Sequence, residues 1–459
     1  MGAEVTSLSQ VTGLSLTTCQ LLFNRGFRSA EEISQFLYGT LKDLPDPLTL
    51  PDIGKAVERI RQALSKKEKI FLFGDYDVDG VTGTAILKLF LESQGADVHP
   101  LLPNRFEEGY GLHDRVIDEV EAKKGTLLIT IDNGTKAYGP IQKAREKGID
   151  VIVLDHHETP EEEVGAIALV NPKKERDESK QLPLCSAGLA FYLIAALRGS
   201  LRKSQSFNTT EPALTPYLDL VALGTIADLV PLVGVNRLLV REGLKWLAQS
   251  GRIGIKALKG VSSIKEGAVS AGQVGFRLAP RLNAAGRLEH ASIALELLTT
   301  GDPSRAQELA VQLEEMNRRR QTTEEEIVNQ AVEILLPSEP LDWCAIALAR
   351  EEWHEGVLGI VAARLAERYF RPTIVLTINK EKVKGSGRSI RGFDLHACLA
   401  ESASFLDKWG GHKAAVGLSL KKENLEAFLK SFRETSRTHL APLGRTPSLP
   451  IDLNLPFSD

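Results

Sequence analysis

The stretch IFLFGDYDVDG at residues 70–80 joins an apolar run to three carboxylates at alternating positions. The apolar run, residues 70–73, predicts a buried strand. Asp75, Asp77 and Asp79 repel one another within so short a turn, and a divalent cation among them is the simplest way to relieve that repulsion. For this motif alone, a calcium-type or solvated acidic turn remains the alternative interpretation.

Further apolar runs alternate with helical patterns downstream of this stretch. Strands are predicted at residues 98–102, 127–131, 151–154 and 167–170, and helices at residues 81–94, 116–123 and 141–147. Continuous apolar strands separated by helices predict an α/β domain with a parallel sheet that is covered on both faces. In such sheets the functional side chains gather at the carboxyl ends of the strands.

The α/β pattern restarts near Cys344, after a long and highly charged helical stretch at residues 304–335. A charged helix of this length is typical of a solvated face or of a bridge between lobes. The predicted fold is therefore a parallel-sheet catalytic domain joined by a long helix to a smaller α/β domain. The predicted segments are an N-terminal helical segment (1–65), the catalytic domain (66–300), the connecting helix (301–336), the smaller substrate-binding domain (337–438) and an extended C-terminal tail (439–459).

Composition limits the class of protein. Of the 459 residues, 43% are hydrophobic and 25% are charged, as in soluble globular proteins. No apolar run approaches the roughly 18–20 residues that span a bilayer, and the N-terminal residues lack the pattern of a signal peptide. The net charge of −4 argues against a protein coated in basic surface but allows one basic groove. The four cysteines lack zinc-ligand spacing, so we predict reduced thiols in a cytoplasmic protein.

Three further elements supply candidate metal ligands. Asp132 ends the third predicted strand, Asp155-His156-His157 ends the fourth, and Asp228 ends an apolar helix. Taken singly, Asp132 could cap a helix, and the two histidines could be a satisfied core pair. Taken together, these carboxylates and imidazoles favour Mn²⁺ or Mg²⁺ over structural zinc. They suffice for two ions about 3.5–4 Å apart, a spacing that suits in-line attack on a phosphodiester.

In this order, the elements resemble the DHH phosphoesterase family, which takes its name from the motif at residues 155–157. The resemblance extends over about residues 20–435 and is strongest to the RecJ branch of the family. The motifs that carry it are G-D-Y-D-V-D-G (74–80), N-R (104–105) with E-G-Y-G (108–111), R-L-N-A-A-G-R (281–287) and, resembling the DHH-associated domain, G-S-G-R-S (385–389) and G-G-H (410–412).

The resemblance implies an exonuclease that shortens single-stranded DNA from 5′ to 3′ by two-metal activation of water, in DNA repair and recombination. The ligands that it implies for two Mn²⁺ or Mg²⁺ ions are Asp77, Asp79, Asp132, His156 and Asp228. Asp132 would bridge the two ions. His157 would contact the scissile phosphate or support the metal ligands, and Asp155 would orient the neighbouring imidazoles.

An exonuclease of this kind also needs phosphate contacts and a surface on which bases stack. The predicted nucleic-acid contacts are Arg105, Tyr110, Arg277, Arg281, Asn283, Arg287, Ser386, Arg388, Ser389, Gly410, Gly411 and His412. The alternatives are ordinary surface arginines, a packed loop tyrosine at Tyr110, and a plain glycine turn before His412.

Two other functions remain open. One is a different activity of the same family: hydrolysis of very short RNA, of dinucleotides or of nucleotide phosphates. The other is an inactive replication scaffold, against which the retention of all five ligands argues. Many proteins of the RecJ branch carry an OB-fold after the second domain, and none fits after Leu440, so we expect a minimal protein or a lost C-terminus. Expected partners are single-stranded DNA and a single-strand-binding protein or a helicase; we expect a monomer.

Overall fold

The computed structural model describes residues 2–105, 108–175, 182–265, 267–336, 344–443 and 446–454. The chain divides into two compact units: unit 1 comprises Met1–Asn317 and Asp452–Asp459, and unit 2 comprises Arg318–Ile451. The predicted segment boundary at residue 337 and the last five residues of the predicted tail lie outside the described residues. No helix of the described residues is long and apolar enough to cross a membrane.

A five-stranded parallel sheet forms the centre of unit 1. Its strands are β1 (Lys69–Gly74), β2 (Asp97–Leu101), β3 (Leu127–Ile131), β4 (Asp150–Leu154) and β5 (Ala168–Val170). The strand order is β2-β1-β3-β4-β5, and all neighbours are parallel. The predicted α/β class is confirmed, and the end of each predicted strand differs from the observed one by at most one residue.

Helices precede, connect and follow these strands. In unit 1 they are α1 (Ala3–Thr12), α2 (Leu16–Asn24), α3 (Ala30–Tyr38), α4 (Ile53–Lys66), α5 (Val78–Ser93), α6 (Asp114–Ala122), α7 (Tyr138–Glu146), α8 (Ser186–Lys203), α9 (Leu218–Ala227), α10 (Gly234–Gln249), α11 (Ile253–Val261), α12 (Ala271–Gln273), α13 (Ala279–Leu288) and α14 (Ser292–Thr299). A π-helical turn, Val274–Leu278, joins α12 to α13. The long helix α15 (Pro303–Leu335) begins in unit 1 and ends in unit 2, as the predicted connecting helix does.

The side chains of β1 alternate between two hydrophobic cores. Ile70 and Leu72 lie in one core, with residues of α4, α5 and α8. Phe71 and Phe73 lie in the other, with residues of α6 and α7. Because successive strand side chains point to opposite faces, this separation explains why a continuous apolar run is needed at residues 70–73.

Unit 2 contains a second five-stranded sheet, of mixed direction. Its strands are β6 (Ile346–Glu351), β7 (Thr373–Asn379), β8 (Lys382–Arg388), β9 (Lys408–His412) and β10 (Ala415–Lys421), and its helices are α16 (Leu358–Tyr369), α17 (Leu395–Ala400) and α18 (Leu425–Leu440). The order is β6-β7-β8-β10-β9, with β6 and β7 parallel and the other neighbours antiparallel. The apolar runs at residues 345–349 and 373–377 predict two strands, which correspond to β6 and β7, and the sequence pattern misses β8, β9 and β10.

Candidate metal centre

The first ligand loop links β1 to α5 at the carboxyl edge of the sheet. The Asp77 carboxylate caps α5, since its Oδ1 accepts the backbone N–H groups of Asp79 (3.0 Å) and Gly80 (3.1 Å). This cap starts α5 at Val78, three residues before the predicted start of the helix. A Cβ at Gly80 would lie 2.5 Å from the backbone nitrogen of Asp75, so only glycine allows the loop to fold this tightly.

Asp132 follows β3 in a left-handed conformation, with φ 67°. Aspartate tolerates this region better than most residues, and the backbone N–H of Asp132 is held by the carbonyl of Leu154 at 2.9 Å. The turn is locked by Asn133, whose side-chain amide donates to the carbonyl of Ile131 at 2.9 Å. The Asp132 carboxylate is buried and accepts the hydroxyl of Ser186 at 3.1 Å.

The Asp155-His156-His157 motif follows β4. Asp155 Oδ1 accepts the backbone N–H of His156 (2.8 Å) and lies 2.7 Å from His157 Nδ1. Burial acts to raise the pKa of Asp155, but the hydrogen bond and charge of His157 outweigh it and lower that pKa to about 2. Burial likewise acts to lower the pKa of His157, but its hydrogen bond to Asp155 and the charge of that carboxylate outweigh burial and raise the pKa. In this arrangement Asp155 orients His157.

His156 faces three carboxylates. Its Nε2 lies 3.2 Å from Asp132 Oδ1, 3.6 Å from Asp228 Oδ2 and 3.8 Å from Asp79 Oδ2. This nitrogen is buried, yet it has no hydrogen-bond partner among the described residues. Burial lowers the pKa of His156, which favours the neutral imidazole. A buried imidazole nitrogen that faces three carboxylates without a hydrogen bond is a suitable ligand for a cation.

The amino end of α8 supports this cluster. The backbone N–H groups of Ser186 and Ala187 donate to the two oxygens of Asp79 at 2.6 Å and 2.8 Å. A helix amino terminus stabilises negative charge, so Asp79 is held in one orientation. Sequence reasoning did not single out Ser186, because nothing near it in the sequence indicates that α8 begins against Asp79 and Asp132.

Carboxylates are crowded throughout this site. Burial raises the pKa of Asp75 and of Asp132 well above the ordinary value, and the charge of Asp77 adds to both shifts. Burial, with the charges of Asp79 and Asp77, raises the pKa of Asp228 to about 8. Such crowding of like charges destabilises the ionised site unless positive charge is bound.

Three groups of side chains could each hold a metal ion, with ligand atoms within 4.8 Å of one another. The groups are Asp79 with His156 and Asp228, Asp132 with His156 and His157, and Asp75 with Asp77 and Asp132. The structure thus brings all five predicted ligands together, and adds Asp75, whose buried Oδ1 has no hydrogen-bond partner among the described residues. Carboxylate oxygens and imidazole nitrogens fit Mn²⁺ or Mg²⁺.

Tyr110 and Arg105 lie beside the cluster. The Tyr110 hydroxyl donates to the carbonyl of Asp132 at 2.9 Å and lies 3.2 Å from His157 Nδ1. These contacts support the cluster of candidate ligands and fix the position of the half-exposed tyrosine ring. The guanidinium of Arg105 lies over the ring of Tyr76, 5.0 Å from its centroid.

The predicted arginines of the R-L-N-A-A-G-R region make contacts within the protein. Arg281 Nε lies 2.5 Å from Glu314 Oε2, and Arg281 Nη1 donates to the carbonyl of Arg277 at 2.6 Å. Asn283 Oδ1 accepts the backbone N–H of Val78 at 3.1 Å, which joins α13 to the first turn of α5. Arg277 is exposed, and Arg287 is partly buried at the end of α13.

In unit 2, the two predicted motifs lie side by side on three strands. Gly417 of β10 is paired with Ser386 of β8 on one side and with Gly410 of β9 on the other. Arg388 and His412 are likewise both paired with Ala415. The glycine turn that was the alternative interpretation of residues 410–411 is instead part of an edge strand, with Gly411 in a glycine-favouring conformation (φ 139°). Arg388 Nη1 donates to the hydroxyl of Ser386 at 3.0 Å, and the Ser389 hydroxyl donates to the carbonyl of Phe393 at 2.7 Å.

Comparison with known proteins identifies both units. Residues 69–225 match the model of the DHH family N-terminal domain, and residues 342–438 match the DHHA1 domain. The chain is 38% identical over 452 residues to the single-stranded-DNA-specific exonuclease RecJ of Bacillus subtilis, covering 98% of this chain and 56% of that protein. It is 39% identical over 431 residues to RecJ of Dickeya dadantii, covering 90% of this chain and 74% of that protein.

A solved structure has the same fold. The crystal structure of RecJ from Thermus thermophilus in complex with Mn²⁺ superimposes with a TM-score of 0.81 at 33% identity, covering 95% of this chain and 61% of that one. The chain thus spans little more than half of the Bacillus subtilis protein and about three fifths of the Thermus thermophilus chain.

Proposed function

The chain belongs to the DHH family, in its RecJ branch, and we propose that it is a metal-dependent exonuclease that hydrolyses phosphodiester bonds of single-stranded DNA. One observation carries the proposal: the buried His156 Nε2 faces three carboxylates without a hydrogen-bond partner. The proposal is further supported by relatives that are named single-stranded-DNA-specific exonucleases and by one solved with Mn²⁺.

The ligands of two Mn²⁺ or Mg²⁺ ions in this proposal are Asp77, Asp79, Asp132, His156 and Asp228. Asp132 is the residue that would contact both ions, because it belongs both to a group with His156 and to a group with Asp77. Two such ions, when bound, lower the pKa of an attacking water and neutralise the charge that grows on the phosphate oxygens. Asp75 is a further candidate ligand.

The residues around the ligands hold the phosphate in position. His157 is about half exposed and is ion-paired with Asp155, so its imidazole donates to the scissile phosphate while Asp155 prevents its rotation. Tyr110 braces both His157 and the Asp132 turn through its hydroxyl. A reacting phosphate held this way needs little reorganisation during hydrolysis.

Each unit, taken by itself, has further proposed nucleic-acid contacts. Exposed or partly exposed guanidinium groups in unit 1, those of Arg105, Arg277, Arg281 and Arg287, bind phosphates, with Asn283 holding their helix against the metal loop. In unit 2, the paired motifs at residues 386–389 and 410–412 form a second set of phosphate contacts. We also propose the domain organisation that the sequence predicts: a helical segment (1–65), a catalytic domain (66–300), a connecting helix (301–336), a substrate-binding domain (337–438) and a C-terminal tail (439–459).

The wider role follows from the RecJ branch. We propose 5′→3′ polarity and a role in DNA repair and recombination in the cytoplasm, carried out by a monomer with a single-strand-binding protein or a helicase. The support for these statements is membership of that branch.

Digestion of end-labelled oligonucleotides tests the activity. We expect the full chain to shorten a single strand with Mn²⁺ or Mg²⁺, to leave a blunt duplex intact and to stop on addition of chelator. Labels at the 5′ and 3′ ends distinguish the polarity, and a dinucleotide and a short RNA serve as competing substrates. Cleavage of the dinucleotide or RNA alone would replace this proposal with another activity of the family, and no metal-dependent cleavage of any substrate would end it.

A further inference from the structure

Phe276 is the most exposed aromatic side chain among the described residues, with 86% of its surface accessible. It belongs to the π-helical turn Val274–Leu278, whose two end residues are buried. π-Helical turns are rare and occur frequently at functional sites. The turn therefore holds the Phe276 ring away from the core while its ends stay anchored in it.

The π turn packs against the end of α9. A Cβ at Gly275 would lie 3.7 Å from the side chain of Ile226, two residues before the ligand Asp228. Leu229, the residue after that ligand, is also 86% exposed and has a left-handed backbone with φ 61°. Two large apolar side chains thus face solvent, one on the π turn and one directly after that ligand.

Two aromatic rings beside the ligands are already engaged. The Tyr110 hydroxyl is tied to Asp132 and His157, and the Tyr76 ring lies under the guanidinium of Arg105. Phe276, by contrast, offers most of its ring surface to solvent. Its chain neighbour Arg277 is also exposed, and its guanidinium donates to the carbonyl of Ser263 at 3.3 Å.

We propose that Phe276 stacks on an unpaired nucleobase of the substrate while Arg277 contacts an adjacent phosphate. The inference rests on the proposed function and adds a residue that selects single strands. Aromatic rings stack on any base, because every base has a π face, so the contact is independent of sequence. In a duplex both faces of a base are covered by its neighbours, so the same ring gains nothing from paired DNA.

Substitutions of Phe276 distinguish the effect of an aromatic ring from the effect of apolar side-chain volume. We expect Phe276→Ala to raise the KM for a single strand about tenfold, as loss of one stacked base does, and to leave kcat unchanged. Phe276→Trp should retain the wild-type KM, and Phe276→Leu, which keeps apolar volume without a π face, should behave like Phe276→Ala. Tyr38→Ala, at an aromatic residue of α3 that is 67% exposed, is the control and should change nothing.

A scan of abasic sites along the strand identifies the contact directly. We expect one abasic position to raise the wild-type KM by the same factor as Phe276→Ala, and to have no further effect in that variant, because both changes remove the same interaction. Independent effects at every position, or a wild-type KM in Phe276→Leu, would overturn the stacking role. If the wild-type protein cleaves no strand, the proposed function fails; if it cleaves and Phe276→Ala has a wild-type KM, only this inference fails.

Discussion

His156 Nε2 and Asp132 Oδ1 lie 3.2 Å apart, although this imidazole nitrogen is buried without a hydrogen-bond partner among the described residues. Burial lowers the pKa of His156 and raises that of Asp132, so the charged form of each group is disfavoured without a further partner. A shared cation would satisfy both atoms at once. A metal ion bound between these two side chains should therefore stabilise the folded protein.

Asp132→Asn should abolish metal-dependent cleavage and also stabilise the protein in chelator. Burial raises the pKa of Asp132, which means that its charge destabilises the folded state at neutral pH, and the neutral amide removes this penalty. The melting temperature in chelator should rise by about 2–4 °C for each kcal/mol that the substitution adds to the free energy of unfolding. The increase that Mn²⁺ produces in the wild-type protein should disappear in the variant. Asp132→Ala should likewise abolish cleavage while the protein still folds.

Asp219→Asn is the matched control for this experiment. Asp219 is also a buried aspartate, but it lies 3.0 Å from Arg252 Nε and accepts the Ser250 hydroxyl. Because Asp219 is not one of the proposed ligands, the increase in melting temperature that Mn²⁺ produces should persist in Asp219→Asn. Normal cleavage by Asp132→Asn, or an undiminished Mn²⁺ shift, would contradict the assignment of Asp132 as the shared ligand.

Gly286→Ala should impair catalysis although residue 286 touches no metal ligand side chain. A Cβ there would lie 2.6 Å from the backbone carbonyl oxygen of Tyr76, in the ligand loop. We expect α13 to move away, the Asn283–Val78 hydrogen bond to weaken, and stability to fall by about 1–3 kcal/mol. Gly275→Ala, where the nearest atom lies at 3.7 Å, should be tolerated. Urea unfolding measures the loss of stability, and kcat with a saturating single strand measures the loss of catalysis. Equal stability and equal kcat of the two variants would argue against this packing contact.

The fold of unit 1 and its ligand set could be predicted because their signals are local. Each parallel strand is a short apolar run, and a ligand follows directly where β1, β3 and β4 end. In unit 2 the signal is weaker. Gly385, Gly387 and Gly417 lie within β8 and β10, and because glycine has low β-propensity these strands resemble loops in the sequence.

The partners of the ligands could not be predicted, because tertiary structure brings them together. Ser186 reaches Asp132 across 54 residues of sequence, and no local pattern marks that approach. The same holds for Arg281, which the sequence indicated only as a donor for phosphate. Its ion pair with Glu314 on α15 depends on how α13 and α15 pack within unit 1.

Arg281→Ala should weaken single-strand binding and reduce the salt dependence of the binding constant by about one unit of slope, as expected for one lost phosphate contact. Glu314→Gln provides the control, because it removes the negative partner while it leaves the guanidinium in place. It should not reduce the slope, and the released guanidinium should bind the strand at least as well. If Arg281 serves only to brace the helices, both variants will lower the melting temperature and neither will change the slope measured by fluorescence anisotropy.

Asp52→Asn should lower the melting temperature at neutral pH but not in acid. Asp52 lies before α4, where it is ion-paired with Lys174 and, at 2.8 Å, with Lys55. Burial acts to raise the pKa of Asp52, but the hydrogen bonds of the two lysines, the charge of Lys174 and the backbone N–H of Leu169 outweigh it and lower that pKa below its ordinary value. Asparagine tolerates the left-handed backbone at this position (φ 56°) as aspartate does, so the substitution adds no backbone strain.

The direction of the pH effect follows from this lowered pKa. The folded protein holds Asp52 ionised more strongly than the unfolded chain does, so its contribution is complete above the unfolded value of about 3.9 and is lost as pH falls through the folded value. The difference in melting temperature between the wild-type protein and Asp52→Asn should therefore be constant near pH 7 and should narrow below about pH 4–5. In a Lys174→Met background the same substitution should cost less, because one partner is already absent. A difference that stays constant down to the acid limit of folding would mean that the ion pairs at Asp52 contribute nothing.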